Sequence, residues 1–202
     1  MSKPLSDSVT EEFQGILAFV GAIWAVSLAS FFLPWLKGLG LVPRSLSGLI
    51  GIPMMPFLHG SLGHLISNTI PLIVLLTLLA GSKAKSWEIV ASIIGLNGLL
   101  LWLVGRPAVH VGASGLVFGL ATFLMLSGFL ERRIIPMIIA VVVALMYGMS
   151  LVFGMVPRFG SSVSWDGHIC GAIAGGVVAY LLVNGNKLGN SGSVSDRSLI
   201  DV

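Results

Sequence analysis

Charge is what this chain has least of. Only 9% of its 202 residues are Asp, Glu, Lys or Arg, whereas 55% are hydrophobic, and the mean hydropathy of +1.00 lies outside the range of soluble domains of this size. Eleven basic residues against eight acidic ones leave a formal net charge of +3. The basic residues are scattered between apolar runs rather than gathered on one face, which argues against a nucleic-acid partner. Cys170 is the single cysteine, so there is no intramolecular disulfide and no thiolate metal cluster; its glycine and isoleucine neighbours read as packing. Internal repeats are absent, as is any polar stretch long enough to form a soluble domain. What is left is an all-α membrane protein that crosses the bilayer several times, with lipid as its first partner.

Residues 1–12 form a polar segment containing Asp7, Glu11 and Glu12, followed by a first apolar span at about 13–36. The small residues from Ala25 to Ser30 resemble a signal-peptide cleavage site, but the acidic leader and the length of the run favour a retained span. Residues 37–58 carry Pro43, Pro53 and Pro56 yet are rich in Leu, Ile, Met and Phe, which places this loop in the membrane interface. Further spans follow at about 62–80, 87–104, 114–130, 134–156 and 168–184, the third bracketed by Trp87 and Trp102 as interface anchors. A polar loop, Pro157 to Gly167, precedes the sixth span. Residues 185–202, with their Gly, Ser, Asn and charges, read as a disordered tail, so the domain proper is 13–184. Six spans leave both termini on one side. Lys3, Lys83, Lys85, Arg132, Arg133, Lys187 and Arg197 share that side against Lys37, Arg44, Arg106 and Arg158 opposite, which predicts cytoplasmic termini.

The fourth span opens on Gly112-Ala113-Ser114-Gly115, a lone serine among glycines. Ser114 there is open to two readings. As an N-cap it merely satisfies the helix end. As a nucleophile it profits from the unpaired N–H groups and positive dipole end of the helix, which favour a hydroxyl that ionises and an oxyanion that forms beside it. A common depth favours the second reading. Counting about 1.5 Å of rise per residue from the basic anchors, Ser114 lies roughly 27 Å above Arg132, and His64 and His168 roughly 28 Å above Lys83 and Lys187. Asn68 sits one turn below His64 on the same face. Gly115 and Gly119 on the fourth span and Gly171 and Gly175 on the sixth make small-residue stripes that let two backbones approach. Phe118, one turn below Ser114, is placed to pack under an imidazole.

Three motifs then stand out: His59-x4-His64-x3-Asn68 in the second span, Gly112-x-Ser114-Gly115 at the head of the fourth, and His168-x2-Gly171-x3-Gly175 in the sixth. With them the chain resembles the rhomboid intramembrane serine proteases, in their minimal six-span bacterial-type form, across residues 13–184. The resemblance implies a six-helix bundle around a water-filled cavity open to the outside of a bacterial inner membrane. It implies a dyad without a required carboxylate, with Ser114 as nucleophile and His168 as general base and acid, acting without metal or cofactor. It also implies an oxyanion site formed by His64, Asn68 and the Ser114 backbone N–H, and supporting roles for His59, Gly112, Gly115, Phe118, Gly171 and Gly175. The implied partner is the transmembrane helix of another membrane protein, entering past the fifth span under the roof of the 157–167 loop. Two departures are visible: no Trp-Arg pair stands in the first loop, and phenylalanine occupies position 118 where some relatives have tyrosine.

Asp166, two residues before His168, invites a triad but reads more simply as a helix cap or loop residue. His110 reads as a solvated loop residue. A His59/His64 metal site lacks a third ligand. Two rival functions remain at this stage, a catalytically inactive rhomboid-like protein that binds membrane clients and a small transporter, the latter disfavoured by the lack of charges or broken helices at mid-membrane.

Overall fold

A chain in lipid must satisfy its backbone hydrogen bonds within each segment, and apolar runs do so as helices. The computed structural model describes residues 5–83, 85–157 and 164–197, with side-chain surroundings for 10–83, 85–157 and 164–185. The described residues form six long helices: α1 (Leu5–Phe32), α2 (Leu62–Ser82), α3 (Ser86–Val104), α4 (Ser114–Glu131), α5 (Ile134–Met155) and α6 (Trp165–Arg197). Each contains a stretch long and apolar enough to cross a membrane, Thr10–Phe32 within α1 and Trp165–Gly185 within α6. Among the described residues the only β-type pairing is one antiparallel bridge, Leu41 with His110. The protein is an all-α, multi-pass integral membrane protein.

At both ends helix extends past the expected spans. Helical backbone begins at Leu5 inside the polar leader, and α6 continues to Arg197 through the segment expected to be disordered. Adding a residue to a formed helix costs far less than nucleating one, so the spans propagate into their polar flanks. Residues 1–4 and 198–202 lie outside the described residues.

α4 is the central helix: 61% of its apolar window is buried inside the protein, against 17% for α5. Its glycine face explains the closest approach. A Cβ at Gly171 would fall on the Gly115 carbonyl and one at Gly175 on the Gly119 carbonyl, so α4 and α6 pack backbone to backbone. The other faces of α4 bury Leu116, Leu120, Phe123 and Leu124 in one core that also takes in Ile16, Val20 and Ile23 of α1, Leu72 and Leu75 of α2 and Ile93 of α3. At the end remote from the Ser114 turn, Arg132 adopts φ 53° and stops α4. Glu131 there pairs with Lys83 at the end of α2, and the Ser86 hydroxyl bonds Glu12 at 2.8 Å, joining α3 to α1.

The first loop is not a simple interfacial strip. It folds as short helical turns at Pro34–Leu39, Ser47–Ile50, Gly51–Met54 and Met55–Phe57. Leu46 and Ile50 point outward, while Leu41 and Met55 are buried against Leu101 and Cys170. Its anchor answers the missing Trp-Arg pair. Arg44 donates through its backbone N–H to the Trp102 carbonyl (2.9 Å) and through Nη1 to the Gly105 carbonyl (2.8 Å), and Trp102 Nε1 donates back to the Ser45 carbonyl (2.8 Å). A cation thus caps the carbonyl end of α3, where the helix dipole favours it.

Candidate active site

The turn before α4 needs glycine at 112 for two reasons. Its φ of +121° is a conformation side chains rarely adopt, and a Cβ there would lie 2.7 Å from Cε1 of His64. The turn makes Ala113 the N-cap and Ser114 the first helical residue. Ser114 is therefore not the cap, and its hydroxyl has no hydrogen-bond partner among the described residues. The first helical bond runs from Val117 N–H to the Ala113 carbonyl (3.0 Å), which leaves the Ser114 N–H outside the helix ladder.

That hydroxyl opens into a cavity of about 900 Å³. His64 and Asn68 of α2, Ser114 and Phe118 of α4, Met146, Tyr147 and Ser150 of α5, and His168 of α6 line it, together with the loop before α4 and Ser164. Of the expected roof, 157–167, residues 158–163 lie outside the described residues. The spacing-based layer of one serine, two histidines and one asparagine thus surrounds a single space. Among the described residues no hydrogen bond joins Ser114 Oγ to His168; such bonds commonly tighten only when substrate is bound.

His168 is held on two sides. Its ring stacks on Phe118 with centroids 4.1 Å apart and planes 10° from parallel. Its Nδ1 lies 2.8 Å from the Gly154 carbonyl of α5. A carbonyl only accepts, so Nδ1 carries a proton, and in the neutral ring Nε2 then keeps its lone pair. Gly154 has to be glycine, since a Cβ would strike the Phe118 ring. Asn68 is buried and its Nδ2 has no partner in the structure, a donor left over for something in the cavity. His64 is carried by the first turn of α2, where Ser61 caps the helix by accepting from the His64 N–H at 3.2 Å.

His59 stands behind this layer, fully buried, with its ring 5.0 Å from that of His64. Ser27 of α1 donates to the Phe57 carbonyl (2.9 Å), so its oxygen accepts from Nδ1–H of His59 (2.9 Å). Nε2 of His59 is then free to accept the Ala113 N–H at 3.4 Å, immediately before Ser114. A neutral imidazole is thus built into the support of the serine turn. Burial, with the nearby His64 as a second cause, pulls the His59 pKa down to about 4. Because the unfolded chain takes up this proton near pH 6.5 and the folded one only near 4, the stability His59 confers is complete above pH 6.5 and is lost between 6.5 and 4. The loss should reach about 3 kcal/mol. Denaturation midpoints measured across that range should fall in wild type and fall less steeply in His59→Gln; equal slopes would exclude the assignment.

Two loop residues behave differently from expectation. His110 is buried rather than solvated, only 3% exposed, because the loop before α4 is pinned to the start of α6. Asp166 belongs to the first turn of α6 and pairs with Arg106, while the Nδ1 position of His168 is taken by Gly154. Gly115 backs the site, where a Cβ would meet Asn97 Nδ2. Asn97, Ser27 and Gly154 are absent from the motif-based set. Asn97 is the sole amide side chain of the third span, and a polar side chain at membrane depth was a usable signal; a backbone carbonyl such as that of Gly154 offers none. No group of three or more His, Cys, Asp or Glu able to hold a metal occurs among the described residues.

The geometry defines a class: a polytopic helical membrane protein with a cavity inside the bundle faced by a helix-N-terminal serine and a histidine held through Nδ1 by a backbone carbonyl. The model of the Rhomboid domain matches residues 46–185, and the chain belongs to the rhomboid family. It is similar to uncharacterised proteins of Mycobacterium tuberculosis (strain H37Rv) and Mycobacterium bovis, each 40% identical over 182 residues, covering 83% of this chain and 73% of the relative. An uncharacterised protein of Mycobacterium leprae is 42% identical over 144 residues, covering 66% of this chain and 56% of its own. No solved structure matches it.

Proposed function

We propose that the protein is an intramembrane serine endopeptidase that cuts transmembrane segments of other membrane proteins, with Ser114 as nucleophile and His168 as general base and acid. The observation that carries this reading is the tautomer of His168: the Gly154 carbonyl holds Nδ1–H at 2.8 Å and leaves the Nε2 lone pair for the cavity that Ser114 also lines.

In this mechanism Ser114 Oγ attacks a peptide carbonyl as Nε2 of His168 takes its proton, giving a tetrahedral oxyanion. Negative charge then sits at the positive end of α4, with the Ser114 N–H, the unpartnered Asn68 amide and His64 as donors. His168 passes its proton to the leaving amine, an acyl-enzyme forms, and water from the cavity releases it by the same steps. The Gly154 carbonyl does the orienting that a carboxylate does in a triad. The substrate helix enters beside α5, the least buried span, and unwinds locally, since a helix hides its carbonyls in hydrogen bonds. The membrane is a bacterial plasma membrane, with both termini cytoplasmic and the cavity opening on the far side.

Purified protein in liposomes should cleave a co-reconstituted transmembrane helix that carries small residues and a helix-breaking residue, at a peptide bond inside the membrane-embedded segment. Asn68→Ala should keep its reaction with a fluorophosphonate probe but lose about 10²-fold in kcat. Folded wild-type protein that neither cleaves nor reacts with the probe would overturn the reading in favour of a client-binding protein.

A further inference from the structure

Outside the groups that face the reacting bond, a second polar cluster joins the two segments that deliver them. Arg106 opens the loop leading to Ser114, and Asp166 lies on the first turn of α6, two residues before His168. Asp166 Oδ2 accepts from the Arg106 backbone N–H (2.9 Å) and Nε–H (3.3 Å), and Oδ1 accepts from Nη2 (3.1 Å) and from the Ser164 hydroxyl (3.1 Å). The guanidinium also lies 4.8 Å from the centroid of the Trp165 ring. His110, from the same loop, donates through Nε2 to the Arg106 carbonyl (3.0 Å), and its Nδ1 is 2.7 Å from Ser164 Oγ. Ser164 in turn accepts the Gly167 N–H at 3.3 Å, next to His168. The Asp166 and His110 side chains are 8% and 3% exposed.

A solvated ion pair would need none of this. Here a planar guanidinium grips one carboxylate with two nitrogens while the backbone of the same residue holds it as well, which fixes orientation as well as distance. The carboxylate end is also shielded, 8% exposed against 34% for the Arg106 side chain, so that losing Arg106 strands Asp166 in poor solvent. The cluster touches neither Nδ1 of His168 nor Ser114, so it contributes no reacting group.

We propose that Arg106 and Asp166, completed by His110 and Ser164, form a clamp that sets where His168 stands relative to Ser114, and that both are positioning residues for peptide hydrolysis. This rests on the dyad assigned above. Misplacing reacting groups by about an ångström is enough to cost about 10²-fold in rate, and both groups are carried directly by the clamped segments.

Asp166→Asn should lower kcat and the rate of fluorophosphonate labelling by about 10²-fold with KM little changed, at temperatures where the variant is shown to be folded. Arg106→Lys, which keeps the charge and loses the fork, should fall in between. A geometric readout needs no activity. In a Cys170→Ala background carrying Ser114→Cys and His168→Cys, a short thiol cross-linker should join the two positions efficiently, and adding Asp166→Asn should abolish the product. Cross-linking unchanged by Asp166→Asn, or a raised KM at unchanged kcat, would overturn the clamp. Cross-linking that responds to Asp166→Asn in a protein whose wild type ignores the probe would support the clamp and refute the dyad.

Discussion

Ser114→Ala should abolish fluorophosphonate labelling and lower kcat for a transmembrane substrate by on the order of 10⁴–10⁶, and His168→Ala should do nearly the same. The two act as a unit, because the serine hydroxyl is a poor nucleophile until Nε2 takes its proton and the imidazole has nothing to activate once the hydroxyl is gone. The double variant should therefore be no worse than either single one, a non-additivity that independent binding groups would not give. Ser114→Ala should leave folding untouched, since the hydroxyl has no hydrogen-bond partner among the described residues and Ala113 is the cap. His168→Ala also removes the ring stacked on Phe118 and the bond to Gly154, so the control is His168→Gln, whose amide can still donate to that carbonyl. Kinetic traces of substrate cleavage in liposomes, with melting curves of each variant, measure both effects. Labelling that survives in Ser114→Ala would place the reactive nucleophile elsewhere.

Side chains on one helical face were legible in advance, whereas whatever depended on loops meeting in space was not. The i, i+4 step from His64 to Asn68 and the depth shared by His64, Ser114 and His168 follow from helix geometry alone, and the cavity gathers those residues. The facing glycines of α4 and α6 were readable for the same reason, because a four-residue repeat of small residues has one purpose at membrane depth. The loop position of His110 suggests water around it, and only the folded chain shows Ser164 and the Arg106 carbonyl closing over it. The partner of Asp166, Arg106, lies 60 residues earlier in the chain, a distance no local pattern spans. Ser27 hides among the small residues of an apolar span, where a hydroxyl looks like packing until His59 is found beside it. Helix α6 runs past Val183 because propagation outlasts the apolar run, which hydropathy cannot register.

Gly175→Ala should destabilise the fold by about 3 kcal/mol, the upper end for an inserted methyl, because the methyl meets backbone rather than a movable side chain. The atom it would strike is the Gly119 carbonyl of α4, a helix whose position is fixed on its other sides by the main core, so α6 has to retreat. Gly171→Ala meets the Gly115 carbonyl one turn higher and acts closer to the chemistry: Gly171 follows His168 by three residues and Gly115 adjoins Ser114. Its main effect should be on labelling rate, with about 10²-fold lost for an ångström of separation, even in protein that remains folded. Gly148→Ala supplies the contrast. Among the described residues, nothing outside the backbone of its own helix lies within 4 Å of a Cβ at Gly148 in α5, so the change should be neutral or stabilising by up to about 1 kcal/mol through helix propensity. Unfolding midpoints of the three variants, set beside their labelling rates, separate the two consequences of one contact. If Gly171→Ala and Gly175→Ala behaved like Gly148→Ala, α4 and α6 would not meet backbone to backbone, and the approach of His168 to Ser114 would need another cause.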